Sequence, residues 1–214
     1  MATGLQYRLR QSLRESRRRG RSAELSPGAR VPHPAQMEDV AAALAWTVAH
    51  IAEYGGDPQR IDVGGHSAGG HLAALLALDG RYLVTHKLAP SLIRGVIPMS
   101  GVYQITNLEH VFGSDPAAWK AASPQSYVRA GSPPFVISYC QWDYATLPAQ
   151  AREFHAALVK AGVRSELVYV PGMNHISEII NTVQPGDLTA ESVLRLIGLG
   201  GQKTESPQHT GGSK

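Results

Sequence analysis

Cysteine is almost absent: Cys140 stands alone in 214 residues. A single thiol excludes an internal disulfide framework and a zinc site built on cysteines. Long apolar runs are missing too. The aliphatic stretch 72–78 ends after seven residues, well short of the roughly 18 that a membrane-spanning helix needs. The first 25 residues hold no apolar segment, so no secretory signal is read there, and a cytoplasmic protein without a membrane partner is expected. Charged residues reach only 17% and aromatic ones 7%, against 43% apolar residues with 22 Gly and 14 Pro. That balance excludes a coiled coil, a collagen and a wholly disordered chain, and fits one loop-rich globular domain.

The net charge of +3 is unevenly spread. Residues 1–30 carry eight Arg against Glu15 and Glu24, a local balance of +6, and the rest of the chain is at −3. Clustered Arg suits phosphate contacts, and an Arg- and Ser-rich start also suits an organelle-targeting presequence. Tyr7 is the one aromatic residue among the first 25, too little surface for stacking on bases. Residues 1–25 are therefore read as a solvated, disordered basic head, and no nucleic-acid partner is expected. Residues 200–214 read as a polar, disordered tail, which leaves 26–199 as the folded domain.

Within it, Met37, Val40, Ala41, Leu44, Ala45, Val48 and Ile51 recur at helical spacing, so a helix is expected over 34–54 with Gly55-Gly56 as its stop. Short apolar runs at 60–63, 94–98, 135–140 and 165–170 read as strands, and 68–78, 148–161 and 188–199 as helices. Strands alternating with helices imply an α/β fold with a mostly parallel sheet and helices on both faces.

Between the first strand and its helix lies Gly65-His66-Ser67-Ala68-Gly69. This is the G-x-S-x-G pattern of a nucleophile elbow in the context it requires. The turn is sharp, so the residues flanking the serine must be small. The helix N-terminus behind Ser67 favours developing negative charge, and the Ala68 backbone N–H is positioned as an oxyanion donor. A plain Gly/Ser turn is the competing reading of the pentapeptide. A serine hydroxyl needs a base, itself oriented by an acid. The order Ser, Asp, His is met by Asp143, just past the strand at 135–140, and by His175, past the strand at 165–170. His33 and His50 precede the elbow, His155 lies within a helix and His209 in the tail. His66 is expected to line the pocket, with Tyr103 and Trp142 as apolar substrate-binding residues; ordinary packing is the alternative for these aromatics.

Several separate blocks share one wider resemblance. They include His33-Pro34-Ala35-Gln36 with Asp39, Gly55-Gly56-Asp57-Pro58, Gly65-His66-Ser67-Ala68-Gly69-Gly70-His71-Leu72, Ser100-Gly101-Val102-Tyr103, Ala122-Ser123-Pro124, Pro133-Pro134-Phe135 and Asn174-His175. Over 26–199 the chain resembles an α/β-hydrolase of the carboxylesterase and hormone-sensitive-lipase-like group, and is similar to the arylformamidases. The resemblance implies Ser67, Asp143 and His175 as nucleophile, acid and base, with no metal or organic cofactor.

The chain departs from that family upstream of the elbow. The His-Gly-Gly-type segment that supplies a second oxyanion donor is not found, since Gly4, Gly20, Gly28 and Gly55-Gly56 follow no apolar strand beside a histidine. The early strands are not found either, so the N-terminal half of the sheet is read as truncated, with the first strand left as an open edge. The expected function is cleavage of small carboxylic esters through an acyl-enzyme. Alternatives are hydrolysis of a formamide such as N-formylkynurenine, or a catalytically weak, truncated scaffold. A homodimer through the open edge is the one protein partner suggested.

Overall fold

In the computed structural model, which describes residues 33–106, 108–182 and 184–199, all four strands run in the same direction. The basic head and the polar tail expected at 1–25 and 200–214 lie outside the described residues. Strands β1 (Ile61–His66), β2 (Ile93–Met99), β3 (Phe135–Trp142) and β4 (Ser165–Asn174) pair in chain order as one parallel sheet. Parallel pairing puts the carboxyl ends of all four at one end of the molecule. Ser67 follows β1, Ser100 follows β2, Asp143 follows β3 and His175 follows β4. Loops beyond the carboxyl ends of parallel strands are where α/β proteins bind ligands.

The pleat of β3 explains why helices cover both faces. Successive side chains point to opposite sides. Phe135 and Ile137 enter one hydrophobic cluster, and Val136 and Cys140 enter another. The first cluster is closed by α2 (Ala68–Leu78) and α6 (Leu147–Lys160), through Ala73–Leu78, Ala151, Phe154 and Leu158. In front of α2 lies α1 (Ala35–His50), whose Met37, Ala41 and Leu44 sit one or two turns apart and are buried. The second cluster is closed by α8 (Leu188–Leu196), through Val193 and Leu196. The α/β class with helices on both faces is as the sequence implies.

The boundaries differ in instructive ways. The expected helix over 34–54 is α-helical to His50, tightens into a 3-10 turn over Ile51–Tyr54 and stops at Gly55, whose φ of 81° is left-handed. The glycine pair at 64–65 is strand, not turn, because Gly64 and Gly65 pair with Ile97 and Pro98 of β2. Short helices not foreseen are α3 (Arg81–Val84), α4 (Glu109–Phe112), α5 (Pro116–Ala122) and α7 (His175–Asn181). Among the described residues β1 has β2 as its one neighbour, so it is an edge strand. No described helix is long and apolar enough to cross a membrane.

Candidate active site

Ser67 sits between the last residue of β1 and the first of α2, with φ 56° and ψ −119°. A non-glycine residue held there stores backbone strain of about 1–3 kcal/mol, which persists only when the surroundings over-determine it. Two hydrogen bonds fix the turn. The Ser67 N–H donates to the Met99 carbonyl at 2.9 Å, and the Ser67 carbonyl accepts from His71 N–H at 3.1 Å. Glycines let the strand and helix approach. A Cβ on Gly65 would overlap the backbone of Gly69, and one on Gly70 would lie 3.1 Å from Gly101 Cα, whereas one on Gly69 would meet nothing within 4 Å.

This difference makes a prediction within a single pentapeptide. Overpacking against backbone costs about 1–3 kcal/mol, and a chain of this size loses about 2–4 °C of melting temperature per kcal/mol. Gly65→Ala should therefore melt several degrees below wild type in a thermal scan by circular dichroism. Gly69→Ala should melt with wild type. Equal melting temperatures for the two variants would contradict the packing of the turn.

Asp143 and His175 meet beyond β3 and β4, with His175 Nδ1 2.7 Å from Asp143 Oδ1 and both side chains shielded from water. The contact holds the imidazole with its hydrogen on Nδ1, which leaves Nε2 as the acceptor. Burial opposes the charge on Asp143. Hydrogen bonds from Ser100 Oγ at 2.5 Å, from His175 and from the Tyr144 N–H at 2.9 Å outweigh it, and they hold the carboxyl below its usual range. The imidazole is wedged between two rings, His66 and Tyr144, each with its centroid 4.4 Å away. Because His66 precedes Ser67, the candidate base stands beside the candidate nucleophile. Ser67 Oγ itself makes no hydrogen bond among the described residues, so the Asp–His pair is joined while the serine stands next to it.

His175, expected just past the fourth strand, is the first residue of α7. Asn174 caps that helix, accepting from the N–H groups of Ile176 and Ser177, and Ser177 Oγ accepts from the Asn174 N–H in return. This reciprocal cap fixes the backbone from which the imidazole projects. The signal was in the sequence as Asn174 followed three residues later by Ser177.

Behind the pair lies a buried polar cluster that sequence reasoning missed. Glu178, one turn along α7 and 1% exposed, contacts Ser100 Oγ through Oε2 and accepts from Ser138 Oγ through Oε1 at 2.5 Å. Cys140 Sγ lies 4.0 Å from Ser100 Oγ. Ligand atoms of Cys140, Asp143 and Glu178 fall within 4.8 Å of one another, near enough for a cation. The donor set argues for hydrogen bonding instead. Its carboxyl oxygens are engaged by Ser100, Ser138, His175 and the Tyr144 N–H, and burial, with Asp143 and Glu178 nearby, pushes the thiol up to about 12, away from the thiolate a metal requires.

Of the residues expected to meet substrate, Trp142 is 61% exposed and is the last residue of β3, next to Asp143 in the chain. His66 is half-buried against His175, and its Nε2 is shielded with no hydrogen-bond partner among the described residues. Tyr103 requires a correction. It is 1% exposed, stacks on Phe154 at 4.3 Å and donates its hydroxyl to the Pro98 carbonyl at 3.4 Å, so it is core and offers substrate no surface. Ala68 opens α2 and is exposed; as a first-turn residue its N–H has no partner within the helix. Of the upstream glycines, Gly55 and Gly56 lie before the amino end of β1, away from Ser67, and Gly4, Gly20 and Gly28 are outside the described residues.

Comparison with known proteins follows the same lines. The family model described as BD-FAE matches residues 25–158. Esterase LipQ of Mycobacterium tuberculosis is 34% identical over 198 residues, covering 83% of this chain and 47% of that protein. The probable carboxylic ester hydrolase LipM of the same organism is 31% identical over 173 residues, covering 71% and 40%. The chain thus spans about half or less of the length of these relatives. Among solved structures, Thermogutta terrifontis esterase 2 superposes with a TM-score of 0.61 at 31% identity, over 78% of this chain and 66% of that one. A family match over more than half of the residues, on a parallel sheet that carries the elbow, shows that the chain belongs to the BD-FAE family of α/β-hydrolases.

Proposed function

We propose that the chain hydrolyses small carboxylic esters, with Ser67 as nucleophile, His175 as general base and acid, and Asp143 as the residue that orients the imidazole. The observation that carries this reading is the strained serine at a strand-to-helix turn beside a buried Asp–His pair at 2.7 Å. Ser67 Oγ attacks the carbonyl carbon while His175 Nε2 takes its proton, and Asp143 steadies the resulting imidazolium. The tetrahedral oxyanion rests against the Ala68 N–H at the start of α2. Collapse of that intermediate breaks the bond to the alcohol oxygen, which receives the proton from Nε2, and water then releases the acyl group by the same route. Tyr144, against His175, and Trp142, next to Asp143 in the chain, are exposed aromatic surfaces suited to short or aromatic acyl groups. The esterase names of the relatives support the reading, as does the neighbour described as esterase 2 phosphorylated by paraoxon.

The test uses the same reagent class. Incubation with paraoxon should add one diethylphosphoryl group to the peptide bearing Ser67, by mass spectrometry, in step with the loss of p-nitrophenyl acetate hydrolysis. Label on another residue, or full labelling with unchanged hydrolysis, would count against the assignment.

A further inference from the structure

The contacts around Ser100 require more hydrogens than the serine has. Its Oγ lies 2.5 Å from Asp143 Oδ2 and within hydrogen-bond contact of Glu178 Oε2, yet a hydroxyl carries one hydrogen. If both carboxyl groups were ionised, one of the two contacts would set lone pair against lone pair. The second hydrogen must therefore sit on one of the carboxyl groups.

We infer that Glu178 carries it. As a neutral acid it donates through Oε2–H to Ser100 Oγ, Ser100 donates to Asp143 Oδ2, and Glu178 acts as a positioning residue for the acid of the proposed triad. Three observations favour this placement over the reverse. Glu178 is 1% exposed, and no ion pair reaches it among the described residues, whereas a buried charge without a partner is heavily penalised. The titratable groups around it are Cys140 from β3, Asp143 just past it, Tyr103 from the segment after β2 and His175 on its own helix, so Asp143 is the competing negative charge beside it. Asp143, in contrast, accepts from two donors besides Ser100, the Tyr144 N–H and the His175 N–H.

With the hydrogen so placed, every polar atom of the cluster is served. Ser138 donates to Glu178 Oε1, Glu178 to Ser100, Ser100 to Asp143 Oδ2, and His175 and Tyr144 to Asp143 Oδ1. An ionised Glu178 would draw the Ser100 hydrogen to itself and turn a lone pair toward Asp143. The acid would lose a donor and gain a second negative charge behind it. The chain Glu178–Ser100–Asp143–His175 thus keeps one charge in place and aims it at the imidazole.

This role rests on the proposed reading of Asp143 and His175, so the test includes a readout that does not depend on turnover. At pH 7 the infrared spectrum of Ser67→Ala should contain a neutral-carboxyl C=O stretch, and Ser67→Ala/Glu178→Gln should lack it. Glutamine keeps one donor and one acceptor in the same shape. Glu178→Gln should therefore hydrolyse p-nitrophenyl acetate within about threefold of wild type, with the acid limb of its kcat/KM profile in place. Glu178→Ala should lose about tenfold or more in kcat with little change in KM, the effect of leaving buried hydrogen-bonding groups unpaired. No neutral-carboxyl band, or a Glu178→Gln loss as deep as that of Glu178→Ala, would overturn the inference. Full activity in Glu178→Ala would overturn the positioning role. If Glu178→Ala fails to fold, the band and the glutamine variant still decide. An inactive wild type that shows the band would sink the esterase reading and leave the protonation of Glu178 standing.

Discussion

Ser67→Ala should lose p-nitrophenyl acetate hydrolysis by about a thousandfold or more in kcat, the scale on which removing a triad nucleophile acts. Alanine removes the oxygen proposed to attack and adds nothing to the turn. Ser67 Oγ makes no hydrogen bond among the described residues, so the N–H to the Met99 carbonyl and the carbonyl to the His71 N–H survive the change. The positive φ of 56° stays as strained for alanine as for serine. Melting temperature should accordingly match wild type, and the loss reads as chemistry. The wild-type rate sets the range of the measurement. In the proposed mechanism the Ala68 N–H is the oxyanion donor, and each missing donor lowers turnover by about 10²–10³. Steady-state kinetics of the pair, with circular dichroism alongside, checks the expectation; a variant hydrolysing at a tenth of the wild-type rate would mean another nucleophile.

Much of this geometry was legible in the sequence because the elbow is local. Gly65 and Ser67 act within one turn, and the order of Ser67, Asp143 and His175 follows from which strand each residue comes after. What was not legible depends on pairing between distant segments. Gly64 and Gly65 have no preference for strand and become one through β2. β4 runs to Asn174 because the pairing recovers after a bulge between Cys140 and Trp142, and because the Gly172 N–H donates to Gln141 Oε1 at 2.8 Å. Those four extra residues deliver His175 to a helix start. Glu178 was missed for the same reason: one helical turn after His175, it reaches Ser138 on β3 and Ser100 just past β2. Tyr103 was misplaced because its neighbours in sequence say nothing of Phe154, the ring it stacks on.

Asp143→Asn tests the pair from the other side and should lower kcat by about 10⁴ at neutral pH. The carboxylate presents lone pairs at both oxygens, and donors fill both: His175 Nδ1 and the Tyr144 N–H at Oδ1, Ser100 Oγ at Oδ2. An amide has one oxygen, so one position must face an N–H. With the nitrogen toward His175, the imidazole shifts its hydrogen to Nε2 and the base is lost. With the nitrogen toward Ser100, the hydroxyl must turn its hydrogen to Glu178, and the relay behind the acid breaks. The same substitution has a signature in stability. The Asp143 carboxyl is held below its usual value because burial is outweighed by donors from Ser100, His175 and Tyr144. A depressed carboxyl stabilises the fold above its unfolded value, about 3.9, and that contribution fades as pH falls through the folded value. The asparagine variant has nothing there to titrate. The gap in melting temperature between wild type and Asp143→Asn should be widest near pH 7 and narrow toward pH 3. A gap that grows on acidification would mean that the Asp143 carboxyl is not the ionised partner of His175.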